Sequence, residues 1–246
     1  MLNTTLAARG IAVAPHSLAA QSALAVLRDG GNAVEAMVAA AASIAVVYPH
    51  MNSLGGDGFW LIVPPTGEPI AIDASGPAGS LATLERYVGM PRIPVRGAGA
   101  ALTVAGTVGG WQEALQVSAE LGGKLPLPRL LADAIYYAEA GIPVTPSQHL
   151  ATASKKAELQ DIPGFAETFL QNGEAPAAGS LFKQTRLAAT LRTLAEQGLD
   201  SFYRGSLADS IADDLQTLGS PVTRSDLASY RAKRVRALTL KHSAGT

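Results

Sequence analysis

The feature that most constrains this chain is an alanine-rich segment over residues 33–47, which is apolar on nearly every helical face. Asn32 precedes the segment as a predicted N-cap, and Glu35 is spaced to reach back to the Asn32 backbone N–H in a capping box. Small side chains on every face allow neighbouring elements to approach closely, so the helix is expected deep in a core. Its most apolar stretch, 36–47, falls short of the roughly 20 residues that span a bilayer.

Turn-forming residues divide the rest of the chain into short elements. Gly30-Gly31 predicts the left-handed end of a helix over 18–28, for which Ser17 is the predicted N-cap. Strands are expected over 12–14, 59–63, 69–73 and 235–240, the second and third of them forming a hairpin. Helical spacing predicts further helices over 108–121, 127–140, 147–159, 181–197, 207–218 and 225–230. This order, with a helix-rich C-terminal half, indicates an α+β layered protein rather than regular βαβ alternation.

Composition and charge exclude several classes of function. The 19 Lys and Arg against 20 Asp and Glu give a net charge of -1, which leaves no basic excess for binding nucleic acid. The basic cluster between Arg231 and Arg236 is interpreted as a solvated face. The chain has no cysteine, hence no thiolate nucleophile or zinc–thiolate site, and its four histidines are too dispersed to bind a metal. No metal, nucleotide or redox cofactor is therefore expected.

The N-terminus carries no signal-peptide pattern. Its first nine residues read Met1-Leu-Asn-Thr-Thr-Leu-Ala-Ala-Arg9, without a basic segment followed by an apolar one. A cytoplasmic protein that does not associate with a membrane is therefore expected.

A glycine-rich stretch, Gly55-Gly-Asp-Gly58, has the composition of a phosphate-binding loop. It leads into a predicted strand, whereas phosphate loops open a helix, and no Lys-Ser or Lys-Thr pair follows it. A tight turn is therefore favoured. The chain also has no G-x-S-x-G elbow, since Asp73-Ala-Ser-Gly76 around Ser75 lacks the first glycine.

Several motifs occur together along the chain. Among them are Val47-Tyr-Pro-His50, Leu54-Gly-Gly-Asp-Gly-Phe59, Gly106-Thr-Val-Gly-Gly-Trp111 and Phe202-Tyr-Arg-Gly205. In this order and spacing they resemble the large subunit of the γ-glutamyltransferase family of N-terminal-nucleophile (Ntn) hydrolases. The resemblance covers nearly the whole chain.

The resemblance implies an αββα sandwich that two subunits form together. Both subunits would arise from one precursor that cleaves its own chain. Residues 1–246 would be a single domain, the large-subunit part. The partner would be the small subunit of the same precursor, in a heterodimer or a heterotetramer. The family's nucleophile is the N-terminal Thr of the small subunit, whose α-amino group, with a pKa of about 8, can act as general base. No catalytic residue is therefore expected in this chain. Thr246 is not the nucleophile, and the chain alone is expected to be inactive.

Ser75 marks a departure from the family pattern. Glutamyl-specific members hold the substrate's α-carboxylate with an Arg shortly after the Asp that ends the second hairpin strand, and Ser75 stands at that place. A hydroxyl gives one neutral hydrogen bond where Arg gives a bidentate, charge-assisted pair. Ser75 is therefore the predicted substrate-binding residue. The predicted activity is hydrolysis of a small non-glutamyl amide such as oxamate.

Two other functions stay open at this point. One is a γ-glutamyltransferase or glutathione hydrolase whose carboxylate clamp has moved to Arg86, Arg92 or Arg96. The other is a non-catalytic, decayed homologue that keeps the fold without the chemistry. A Thr or Ser at a family-like cleavage site downstream would favour an enzyme.

Overall fold

The computed structural model describes residue 4 and residues 6–243, so Thr246 lies outside the described part. In chain order the helices are α1 (Ser17–Arg28), α2 (Ala33–Val47), α3 (Thr107–Glu120), α4 (Leu127–Ala140), α5 (Pro146–Leu159), α6 (Phe165–Phe169), α7 (Thr185–Gln197), α8 (Ser201–Arg204), α9 (Ser206–Thr217) and α10 (Arg224–Ser229). The strands are β1 (Gly58–Ile62), β2 (Ile70–Ala74), β3 (Ile142–Pro143), β4 (Leu181–Phe182) and β5 (Lys233–Arg236). The mixture of helices and strands confirms the α+β prediction.

Contacts divide the chain into two compact units. The first combines the residues up to Ser53 with Gly123–Gly198, and the second combines Leu54–Gly122 with the residues from Leu199 onward. Each unit is assembled from two separate stretches of sequence, so neither core can form from local segments alone. The single domain over 1–246 stays a prediction.

Helix α2 packs against α1 and α4 in the first unit, and most of its side chains are buried. Asn32 Oδ1 accepts from the Glu35 N–H over 3.0 Å, and Glu35 Oε2 accepts from the Asn32 N–H over 2.8 Å. Ser43 Oγ donates to Ser22 Oγ of α1 over 2.9 Å, and both of these polar residues are fully buried. The predicted core helix and its capping box are confirmed.

The carboxylate of Glu35 also reaches beyond its own helix. Only 2% of the residue is exposed, and Oε1 accepts from the backbone N–H of Leu125 over 2.8 Å. Each oxygen of a buried carboxylate therefore has a backbone donor, as burial of such a group requires. The same side chain fixes the start of α2 and the segment that leads into α4.

Four predicted elements differ from the structure. The strand predicted over 235–240 is shifted, because β5 covers Lys233–Arg236 and residues 237–240 have no regular secondary structure. Helix α1 begins at Ser17 itself, and the N-cap is His16, whose Nδ1 accepts from the Leu18 N–H over 3.2 Å. The helix predicted over 181–197 begins only at Thr185, because residues 181–182 form β4 and pair with β3. The strand predicted at 12–14 is wrong, since these residues have no regular secondary structure.

The second unit contains a three-stranded antiparallel sheet in the order β1-β2-β5. The predicted hairpin is confirmed, and Trp60, Ile72 and Arg234 are cross-strand partners in adjacent strands. Helix α3 covers this face of the sheet, and Arg234 pairs there with Glu113 and Glu120 of α3. The basic cluster is thus partly engaged in ion pairs rather than wholly solvated.

The opposite face of this sheet is open and apolar at one end. Phe59 and Leu61 of β1 are 72% and 68% exposed, and Val63 just beyond β1 is 69% exposed. Val235 of β5, in line with Leu61 through Ala71, is also exposed. Directly opposed residues in adjacent strands share a face, so these side chains form one continuous surface, the open sheet face.

Candidate functional site

The candidate site lies at the end of β2, where the sequence places Ser75. Ser75 Oγ donates to Asp73 Oδ1 over 2.7 Å, and the Ser75 N–H donates to the same oxygen over 2.9 Å. These two bonds, with the positive charge of Lys233 nearby, lower the pKa of Asp73. Because the hydroxyl hydrogen of Ser75 is given to Asp73, its oxygen is left as an acceptor.

A cavity of about 320 Å³ opens beside Ser75. On one side it is lined by the end of β2 and the following turn, which contribute Asp73 and Ser75. On the other side, the end of α10 and the start of β5 contribute Tyr230, Arg231 and Lys233. The sequence pattern predicts a solvated face for these two cations, although their position just ahead of a predicted strand was a usable signal.

The glycine-rich turn ahead of β1 holds a loop that lines this cavity. The Gly56 carbonyl accepts from the N–H groups of Gly106 and Thr107 over 2.9 and 2.8 Å, and from Thr107 Oγ1 over 2.8 Å. Asp57 Oδ1 accepts from the Gly76 N–H over 3.1 Å. The turn therefore fixes both the start of α3 and the loop that carries Ser75, which is a structural role.

Tyr230 lines the cavity, and the ring of Tyr203 packs against it at a tilt. The rings of Tyr203 and Tyr230 lie 5.1 Å apart between centroids. Tyr203 Oη accepts from the Gly109 N–H and donates to the Ala105 carbonyl, each over 2.8 Å. Burial raises the pKa of Tyr230 to about 12, and it raises the pKa of Tyr203 as well. Both phenols are therefore neutral structural groups near pH 7.

Replacing Tyr203→Phe is expected to lower the free energy of unfolding by about 1–3 kcal/mol, because the buried Gly109 N–H loses its acceptor. Chemical denaturation of the full-length protein at pH 7 measures this loss. Above pH 10 the unfolded chain releases phenolic protons that the folded chain retains, so stability falls as the pH rises from 10 to 12. The fall should be smaller in Tyr203→Phe.

The matched control is Tyr136→Phe, since the Tyr136 side chain is largely exposed on α4. Its effect at pH 7 is expected within about 0.5 kcal/mol of zero. Equal stability of the two variants would contradict the role given to the Tyr203 hydroxyl.

The three arginines considered as displaced clamps lie elsewhere. Arg86 donates to the Gly219 carbonyl and lines a separate cavity of about 510 Å³ together with Arg224. Neither Arg92 nor Arg96 lines the cavity beside Ser75. The geometry therefore does not support a carboxylate clamp at these positions.

Metal-binding clusters and membrane-spanning helices are both absent from the described residues. In the part of the chain that the structure describes, no group of three or more His, Asp or Glu side chains is placed to hold a metal ion. No helix among the described residues is long and apolar enough to cross a membrane. The absence of a metal or other cofactor stays a prediction.

The fold and the site resemble a known family of enzymes. A family model described as Gamma-glutamyltranspeptidase matches residues 19–246, and the chain belongs to this family. The crystal structure of Helicobacter pylori gamma-glutamyltranspeptidase superposes with a TM-score of 0.90 and 30% identity, over 99% of this chain and 70% of that one. The predicted Ntn-hydrolase fold class is therefore confirmed.

Two curated relatives within this family are similar to the chain over most or all of its length. The chain is 65% identical, over its whole length, to the oxamate amidohydrolase proenzyme of Klebsiella pneumoniae subsp. pneumoniae, of which it covers 47%. It is 38% identical, over 95% of its length, to the glutathione hydrolase-like YwrD proenzyme of Bacillus subtilis, of which it covers 44%. The chain thus spans about half the length of these curated relatives.

Proposed function

We propose that the full-length protein is a self-processed amidohydrolase acting on a small non-glutamyl amide, with oxamate as the leading substrate. The observation that carries this proposal is the 65% identity to the oxamate amidohydrolase proenzyme, against 38% for the glutathione hydrolase-like relative. Both relatives are proenzymes, which supports self-processing and argues against a decayed homologue.

The geometry at Ser75 supports a non-glutamyl substrate. Ser75 donates its hydroxyl hydrogen to Asp73, so it offers no charged or neutral donor to an incoming α-carboxylate. Arg86, Arg92 and Arg96 do not line the adjoining cavity. A γ-glutamyl compound would therefore lack an arginine clamp at the place where the family resemblance puts one. We propose that Ser75 contacts the substrate as an acceptor.

The proposed partner is the small subunit of the same precursor, since the chain spans about half the length of relatives that are proenzymes. The open sheet face, with Phe59, Leu61 and Val63 exposed, is the surface expected to pack on the small subunit's sheet in a heterodimer. The pair would form one αββα domain in which residues 1–246 are the large-subunit part. The cytoplasmic location stays a prediction.

In this proposal the N-terminal Thr of the small subunit attacks the amide carbon of oxamate. Its α-amino group takes the hydroxyl proton and passes it to the leaving nitrogen, so that ammonia departs and an oxalyl ester remains. Water then cleaves the ester and releases oxalate. Backbone N–H groups stabilise the oxyanion in both steps. This chain contributes substrate positioning and the scaffold, and no catalytic residue.

The test is to express the full-length protein, verify its cleavage into two chains on a denaturing gel, and assay it with two substrates. Ammonia release from oxamate is expected. Release of p-nitroaniline from γ-glutamyl-p-nitroanilide is expected to be slower by at least about 100-fold in kcat/KM. Its α-carboxylate is separated from the reacting amide carbon by three carbons, whereas the carboxylate of oxamate is bonded to that carbon, so one site cannot anchor both, and an anchoring charge pair contributes on the order of 2–5 kcal/mol. A processed protein that prefers the γ-glutamyl substrate would refute the proposal.

A further inference from the structure

We propose that Arg231 and Lys233 form the cationic side of the cavity beside Ser75 and bind the free carboxylate of the substrate. The inference rests on the proposed function and deepens it. It assigns the substrate class as amides of small acids that keep a second, ionised carboxylate, as oxamate does. The carboxylate would lie against the two cations, with the amide toward the small subunit's nucleophile.

The register of the sheet brings Lys233 to this cavity. Lys233 of β5 is the cross-strand partner of Asp73 of β2, two residues before Ser75. Its charge lowers the pKa of Asp73, yet no ion pair within 4.0 Å joins it to an acid among residues 6–243. The next residue, Arg234, is paired on the other face with Glu113 and Glu120. Lys233 is thus the cation of β5 that lines the cavity, and its ammonium group is not held in a close ion pair among the described residues.

Arg231 is held at the cavity wall by one end of its guanidinium. Its Nη1 donates to the Tyr230 and Ala228 carbonyls over 2.7 and 3.0 Å. In the described part of the chain its bonds use Nη1, which leaves Nε and Nη2 as donors for a ligand. A guanidinium fixed in this way has already lost much of its conformational freedom, and such preorganisation favours binding.

Two carboxylates also line the cavity, and their hydrogen bonds decide whether it can accept an anion. Asp73 accepts from the hydroxyl and the N–H of Ser75. Asp226 Oδ2 accepts from the N–H and hydroxyl groups of both Ser80 and Thr223, over 2.8–3.0 Å. The hydrogen bonds to both acids thus come from neutral donors, and Lys233 adds its charge to the stabilisation of Asp73. The N–H donors of Arg231 and Lys233 are therefore not used by these acids and remain available to an incoming carboxylate.

The chemistry of the cavity matches one end of the substrate. Ser75 has no hydrogen to give to a carboxylate, because Asp73 takes it. A buried or half-buried carboxylate needs donors to replace its water, and charged donors serve best. Among the residues lining this cavity, Arg231 and Lys233 are the cationic ones. They therefore supply the binding energy that a neutral amide of the same size would not use.

The experiment compares two substrates of nearly equal size in the full-length, processed protein: oxamate, which is an anion, and oxamide, which is neutral. The variants are Lys233→Gln and Arg231→Gln, with Lys233→Arg as the charge-preserving change. Each Gln variant is expected to raise the KM for oxamate at least tenfold, with kcat/KM for oxamide changed less than twofold. Lys233→Arg should return the KM for oxamate to within threefold of the parent value.

The matched control is Arg236→Gln, which removes a charge from the same strand outside the cavity lining. Its KM for oxamate is expected to stay within twofold of the parent value. Melting curves and gels verify folding and processing in every variant. If both Gln variants keep the parent KM for oxamate, or lose activity on both substrates equally while folded, the inference is overturned.

Binding of oxalate, measured by calorimetry, separates this inference from the proposed function. If the processed parent protein hydrolyses no oxamate but binds oxalate, and Lys233→Gln weakens that binding tenfold, the proposed activity fails and the anion site stands. If the parent protein hydrolyses oxamate and Lys233→Gln binds oxalate as the parent does, the activity stands and the anion site fails. Absence of both hydrolysis and binding refutes both.

Discussion

Replacing Glu35→Ala is expected to lower the free energy of unfolding by about 3–5 kcal/mol, among the largest effects of any single side chain here. Glu35 is 2% exposed, and its carboxylate accepts hydrogen bonds from the N–H groups of Asn32 and Leu125. Its removal leaves two backbone donors without their acceptor, at about 1–3 kcal/mol for each that is buried, and a void beside α2. Denaturation of the full-length protein in urea, followed by circular dichroism, measures the loss.

Two further variants define the origin of that loss. Glu35→Gln keeps one carbonyl oxygen as acceptor, so an intermediate loss is expected. Glu120→Ala removes a carboxylate that forms a surface ion pair with Arg234. Its loss of unfolding free energy is expected to be below about 1 kcal/mol. If Glu35→Ala costs no more than Glu120→Ala, the bridge from Asn32 to Leu125 does not stabilise the fold.

Replacing Gly76→Ala is expected to destabilise the protein by about 3 kcal/mol or more and to abolish substrate turnover. A Cβ atom at Gly76 would lie 1.5 Å from the Val104 carbonyl oxygen and 2.6 Å from its carbon. These are backbone atoms, so the loop itself has to move. The Gly76 N–H donates to Asp57, and Ser75 is the preceding residue, so the movement displaces the candidate site as well.

The comparison variant is Gly58→Ala, at the start of β1. Its added Cβ would find Thr107 Cα at 3.7 Å and Ala74 Cβ at 4.0 Å, which are ordinary contacts. A change within about 1 kcal/mol and nearly full activity are expected. Melting temperature and oxamate turnover are measured on both variants. If the Gly76→Ala variant has the melting temperature and the oxamate turnover of the Gly58→Ala variant, the loop adapts to the added methyl group and the prediction is wrong.

Helices were the part of the fold that local sequence patterns predicted well. The bounds of α4 agree with the prediction to the residue, and α2 was predicted together with its capping box. Caps and glycine stops act within one turn of the residues that they specify, as the Gly30 φ of 88° at the end of α1 illustrates. Such elements can therefore be read without knowledge of their neighbours.

Long-range pairing explains where the prediction failed. Leu181 and Phe182 have helical spacing with the residues that follow, yet they are extended because Pro143 and Ile142 pair with them. The N-cap of α1 was missed for a different reason. His16 is an uncommon cap, and Ser17 beside it has the preferred chemistry.

The candidate site was predicted in part. Ser75 was found through the family resemblance, since nothing in its local pattern marks it. Arg231 and Lys233 were interpreted as a solvated face because an alternating basic run is usually exposed. Their proposed role depends on the pairing of β5 with β2, which joins residues about 160 positions apart and cannot be read from either segment alone.

The alanine content of α2 has a consequence for the thermodynamics of folding. An alanine side chain has no rotamers to lose, so ordering the seven alanines of this helix costs backbone entropy only. The helix can therefore be fixed in the core cheaply, although each alanine gains little from burial. The helix should tolerate smaller residues better than larger ones. Loss of a methyl group leaves a small void, whereas added volume pushes α1 or α4 away from α2.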